Sequence, residues 1–157
     1  MPTVYVTFFS DKTEDEARAR FATGNRVCSH RCRTKVQPDD LILMVNNKAK
    51  GQGRIVGVAR AATLCLASSL SEERGGYSGE DAKYNKFEIR IKDLILLDRP
   101  YLQRDLREAI GVDEEESKTN IYKGFPNSWQ PAFIKRDDET AILMRLVSWI
   151  EGCLATA

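Results

Sequence analysis

The most chemically loaded stretch of the chain is Cys28-Ser29-His30-Arg31-Cys32, which places two of four cysteines and the single histidine within five residues. These are zinc-ligand types, so Cys28, His30 and Cys32 form one candidate metal site. Spacing argues against it. On a strand the three side chains share a face, yet the outer two stand about 13 Å apart, too far for one tetrahedral ion. A looped conformation would relieve that, with Cys65 or Cys153 as a fourth ligand. No CxxC pair is present, and such pairs mark most structural zinc sites. Nothing points to an oxidising compartment, so reduced cysteines are expected, with no disulfide, metal or cofactor. Hydrolytic chemistry finds little support. One histidine restricts any Ser-His-Asp or Cys-His arrangement, and no GxSxG elbow occurs. Gly51-Gln52-Gly53-Arg54 is too short for a phosphate-cradling loop and leads into a strand instead of a helix.

Charge is distributed unevenly. The whole chain carries a formal net charge of +1, which taken alone argues against a polyanionic partner. Between Arg18 and Arg60, however, ten basic residues face only Asp39 and Asp40, a local balance of +8 against −7 for the rest. A segment of that sign is either a solvated face or a phosphate-facing one. Aromatic residues add to the second reading. Tyr77 and Tyr84 fall in a long Ser-, Gly- and acid-containing connection, where aromatic rings can stack on bases. Phe125 and Trp129, in the irregular segment near the end, could stack in the same way, although Trp129 and Phe133 are better read as large side chains plugging one end of the fold.

The elements that must position these residues follow from periodicity. Thr3–Phe9 reads as a buried strand. A helix N-capped by Ser10 or Thr13 opens on Glu14, Asp15 and Glu16, which suit a helix N-terminus, runs to Thr23 and stops at Gly24-Asn25. Arg26–Lys35 is short and irregular or strand-like. Pro38-Asp39-Asp40 is a turn before the apolar strand Leu41–Asn47. Two glycines in 48–53 connect it to a third strand, Arg54–Leu64, whose Gly57 suggests a bulge or a close backbone approach. In Lys86–Asp98, Phe87, Ile89 and Ile91 alternate with Glu88, Arg90 and Lys92, so one face is buried and the other solvated. Pro100 is expected to end this strand. Leu102–Ile110 reads as a short helix closed by Gly111. Asp137 or Asp138 opens a last helix through Trp149, burying Ile142, Leu146, Val147 and Ile150. The sum is a single α+β domain over residues 1–157: a small curved mixed sheet or open β-barrel with helices packed outside. No apolar run reaches the ~20 residues needed to span a bilayer. The first residues lack the basic flank and apolar core of a signal peptide, so an intracellular protein, cytoplasmic or nuclear, is expected.

These elements resemble the PUA-like superfamily and, within it, the YTH and EVE domains that read modified bases. The similarity spans most of the chain. TFFSDKTEDEARARF followed by NRVCSH looks like the family's strand, Ser-containing turn, acidic helix start and Ser segment. LILMVNN, KAKGQG and RIVGVARA look like its apolar strand, glycine hairpin and strand ending in GVA. KFEIRIKDLILLD looks like the strand running into a "KD" turn after the aromatic loop. Two departures stand out. Arg26 and Val27 precede Cys28-Ser29 where a cage tryptophan would be, and the loop aromatics are tyrosines. An EVE-like or otherwise altered pocket is the better match.

The resemblance implies a non-catalytic pocket for a flipped base. Phe9, Ser10, Val27, Ser29, Asn46, Tyr77 and Tyr84 would line it, with Ser10, Ser29 and Asn46 reading base edges. Arg26, Arg31, Arg33, Lys48, Lys50 and Arg54 would hold phosphates, a role independent of base sequence. The expected partner is nucleic acid, DNA or RNA, with or without modification. Two alternatives remain: a small hydrolase of modified nucleosides similar to ASCH domains, whose GxKxxExR signature is absent here, and a zinc-stabilised interaction module.

Overall fold

The computed structural model describes residues 1–9, 15, 18, 26–29, 32–46, 54–68, 86–112, 130–131 and 138–156. Strands β1 (Val4–Phe9), β2 (Arg26–Ser29), β3 (Leu41–Asn46), β4 (Arg54–Ala61), β5 (Leu66–Ala67), β6 (Phe87–Leu102) and β7 (Gln130–Pro131) form one mixed sheet. Its order is β2-β6-β4-β3-β1-β7, with β5 also on β6. Among the described strands β1 and β3 are parallel and every other pair is antiparallel. The sheet curls into a half-barrel, and helices α1 (Gln103–Ile110) and α2 (Glu139–Leu154) pack outside it. This is the α+β architecture expected from the sequence.

Both faces of the central strands are buried, which explains why Leu41–Val45 is continuously apolar instead of alternating. Leu41, Leu43 and Val45 join Val4, Val6, Ile55 and Val58 beneath the helices. Ile42 and Met44 join Tyr5, Val27, Val36, Val56, Ala59, Ile89 and Ile91 on the concave side. From α2 the outer cluster takes Ile142, Leu146, Val147, Ile150 and Leu154, all buried. Each such side chain contributes about 1.5–3 kcal/mol through burial. Tyr101 of β6 meets Trp149 with ring centroids 5.2 Å apart at 40°, a tilted packing that suits aromatic quadrupoles.

Two irregularities let these strands serve both cores. Met44 pairs with Gly57 and Val45 with Ile55, so β4 holds one extra residue, which reverses the alternation: Val56 faces the concave core and Val58 the helices. In β6, Arg60 pairs with Asp93 but Ala61 with Ile91, so the phase slips at Lys92. Leu94 and Leu96 then face the concave core, and Ile95 and Leu97 the helices. Gly57 sits at the β4 irregularity because a Cβ there would stand 2.6 Å from the Ile95 carbonyl oxygen.

Three expectations need correcting. β6 does not stop at Pro100 but runs to Leu102. Residues 97–100 are skipped between the Leu96–Gly57 and Tyr101–Ile55 pairs, so the missing proline N–H leaves no broken ladder bond there. Glu88 is not solvated but 2% exposed, because β2 and β5 flank it on both sides through Cys28 and Leu66. The last helix continues past Trp149 to Leu154, since Gly152 lowers helix propensity without a steric block. Gly111 does close α1 as expected, at φ 83°. Of the helix expected before Gly24, Asp15 and Arg18 are helical, and the other residues lie outside the described residues.

The turn before β3 is tied to β1. Asp40 accepts from the backbone N–H groups of Gln37 (2.9 Å) and Thr3 (3.1 Å), and the Tyr5 hydroxyl donates to the Lys35 carbonyl at 3.1 Å. Burial, with the Asp40 charge second, raises the Tyr5 phenol above its ordinary value. A raised folded pKa means stability is complete below the unfolded value and is lost as pH rises through the folded one. Tyr5→Phe should therefore cost about 1 kcal/mol at neutral pH. It should also flatten the loss of stability above about pH 10, as urea melts at neutral and alkaline pH would show.

Candidate nucleic-acid interface

The candidate site residues that are described lie on two faces. On the parallel β1–β3 pair, Phe9 is the partner of Asn46, and Asn46 is in turn the antiparallel partner of Arg54. Three positions on adjacent strands thus span about 10 Å at one end of the sheet. Alternation from Met44 puts Asn46 on the concave face, where it is fully buried. Arg54, opposite in phase to Ile55, is half-buried on that side. Thr7, 3% exposed, lies between Tyr5 and Phe9 in the same phase. Sequence reading passed over it, although a hydroxyl in the apolar run Val4–Phe9 was the available signal.

Val27 belongs to the concave cluster with Met44 and Tyr5, so β2 and β1 contribute to one interior surface. Ser29 pairs with Phe87 through the backbone at the end of β2. Ser10, Tyr77 and Tyr84, the other proposed pocket residues, lie outside the described residues, as do Phe125, Trp129 and Phe133.

The basic residues divide differently. Arg26 points away from Val27 and forms an ion pair with Glu88 at 3.1 Å; Arg90 reaches the same carboxylate at 3.9 Å. Two guanidinium groups thus offset the cost of burying one carboxylate. Arg60 pairs with Asp93 at 3.1 Å, and Arg18 donates to the Leu97 carbonyl at 3.3 Å. The +8 segment is therefore partly neutralised by acids and carbonyls from β6, outside that segment. Lys92 pairs with Asp39, and this hydrogen bond and charge hold the Asp39 carboxyl below its ordinary range. Arg33 lies half-exposed on the turn after β2. Arg31, Lys48 and Lys50 lie outside the described residues.

The cysteine cluster is not a strand motif. β2 ends at Ser29, so Cys32 lies beyond it, exposed, with its thiol donating to the Cys65 carbonyl at 3.8 Å. Among the described residues no three His, Cys, Asp or Glu side chains gather as metal ligands. His30 and the Cys28 side chain are not among them. No described helix is long and apolar enough to cross a membrane.

Two of the solved structures similar to this chain match it over nearly its whole length. One is a hypothetical protein from Leishmania major, at a TM-score of 0.51 and 14% identity, covering 96% of this chain and 98% of that one. The other is the N-terminal domain of Thermococcus gammatolerans McrB bound to m5C DNA, at 0.52 and 8%, covering 97% and 99%. What they share is the fold. No family model and no curated protein matches the sequence. At such identities the likeness is one of fold alone.

Proposed function

We propose that residues 1–157 form one PUA-like domain, of EVE or YTH kind, that binds nucleic acid and reads a modified, flipped-out base without catalysing a reaction. The observation that carries this is end-to-end similarity to a domain solved with m5C DNA. It is joined by a buried polar end of the concave face at Asn46 and Thr7. In this reading Asn46 supplies base-edge hydrogen bonds beside Phe9 and Ser10 on β1 and its exit, with Val27 and Ser29 from β2. Tyr77 and Tyr84 supply stacking. Arg31, Arg33, Lys48, Lys50 and Arg54 hold phosphates. Arg26, which is paired with Glu88, belongs to the same group.

Fluorescent DNA and RNA oligonucleotides, with and without methylated bases, test the reading. Binding should weaken steeply with salt, since each phosphate contact releases counterions. Arg31→Ala combined with Arg33→Ala should weaken binding to all sequences alike and flatten the log–log salt slope by about 2. Asn46→Ala should instead reduce the preference for the modified base. Absence of binding at low salt would remove the reading. Turnover of a modified nucleoside would replace it with the hydrolase alternative.

A further inference from the structure

Among the described residues β2 is an edge strand whose ladder partner is β6. Its exit leads to Cys32, and the exit of β4 leads to Cys65, just before β5. The two exits flank the start of β6, where β2 and β5 pair with the same residues, Phe87 and Glu88. Cys32 is exposed, and its Sγ lies 3.8 Å from the Cys65 carbonyl oxygen. The Cys65 thiol meets the Cys32 thiol and the backbone N–H of Arg33. Two reduced cysteines distant in sequence are thus brought together on either side of one strand.

We propose that Cys32 and Cys65 are a reversible disulfide site that tethers the exit of β2 to the exit of β4. The oxidant is a small disulfide such as oxidised glutathione. The Cys32 thiolate attacks one of its sulfurs, forming a mixed disulfide and releasing one glutathione thiolate. The Cys65 thiolate then attacks the Cys32 sulfur, forming the intramolecular bond and releasing the second glutathione. Two electrons and two protons pass from the cysteines to glutathione, and a dithiol reductant reverses the sequence. The order follows from access: Cys32 is open to solvent, whereas Cys65 is half-buried and burial pushes its thiol up to about 11 while Cys32 is reduced. Closure gives β2 a second attachment besides its ladder with β6. It is independent of what the concave face binds.

The full chain, treated with oxidised glutathione, alkylated and digested without reduction, should yield one crosslinked peptide joining Cys32 to Cys65. Cys32→Ser and Cys65→Ser should each abolish it, Cys153→Ser should leave it intact, and dithiothreitol should remove it. Amide hydrogen exchange at residues 26–29 should slow several-fold in the oxidised form. A stable glutathione adduct on Cys32 with Cys65 still alkylatable would overturn the proposal. A bond to Cys28 or Cys153, two unreacted thiols, or unchanged exchange in β2 would do the same.

Discussion

Gly57→Val is expected to lower the melting temperature by roughly 6–12 °C, equivalent to about 3 kcal/mol for a chain of this size. Strand propensity alone predicts the opposite sign, because valine is among the best strand formers and glycine among the worst. The deciding quantity is a distance. A Cβ at residue 57 would stand 2.6 Å from the Ile95 carbonyl oxygen and 3.2 Å from a Leu96 methyl carbon. The first of these is backbone in a paired strand and cannot rotate away, so β4 and β6 must separate at the irregularity that phases both cores. Gly152→Ala supplies the contrast. A Cβ there meets nothing within 4 Å, and the exposed helical position should gain about 0.5–1 kcal/mol. Thermal melts of the two variants beside the parent separate the steric argument from the propensity one.

Leu43→Ala is expected to cost about 2–5 kcal/mol in urea denaturation, through lost burial plus the cavity left behind. Leu43 is fully buried in the middle of β3, between the sheet and the helices. Strands on both sides, β1 and β4, limit how far the site can collapse. Met144→Ala, on a side chain 55% exposed in α2, should change stability by less than about 0.5 kcal/mol. Equal losses in the two variants would mean that the outer core is not packed as described.

Much of the architecture was readable because its signals are local. The stripe Ile142, Leu146, Val147, Ile150 is a helical period, and Gly111 after Ile110 is a C-cap, and both needed no knowledge of the rest of the chain. What escaped reading was set by partners distant in sequence. The alternation of Phe87, Ile89 and Ile91 was visible, but its slip at Lys92 depends on how β4 runs beside it. Pro100 reads as a stop, yet it falls where β6 skips its pairing with β4. Glu88 reads as a surface acid until β2 and β5 close around it. The site shows the same division. The excess of basic residues over 18–60 could be counted, but its partial neutralisation by Glu88 and Asp93 could not. Asn46 was legible as the polar end of an apolar strand. Its position beside Phe9 and Arg54 required the parallel register of β1 on β3.

That parallel pairing also has a consequence in time. Of the described strands β1 is synthesised before the rest, yet its neighbours are β3, at 41–46, and β7, at 130–131. Neither can be reached through a tight turn, so enclosing β1 requires closing two long loops, the second nearly the length of the chain. Non-local closures of this kind slow folding relative to local hairpins such as β3–β4. Val4 and Val6, buried in the finished core, therefore wait uncovered while the middle strands assemble. Until those closures are made, β1 is an apolar segment without its partners, the kind of surface that a holding chaperone binds.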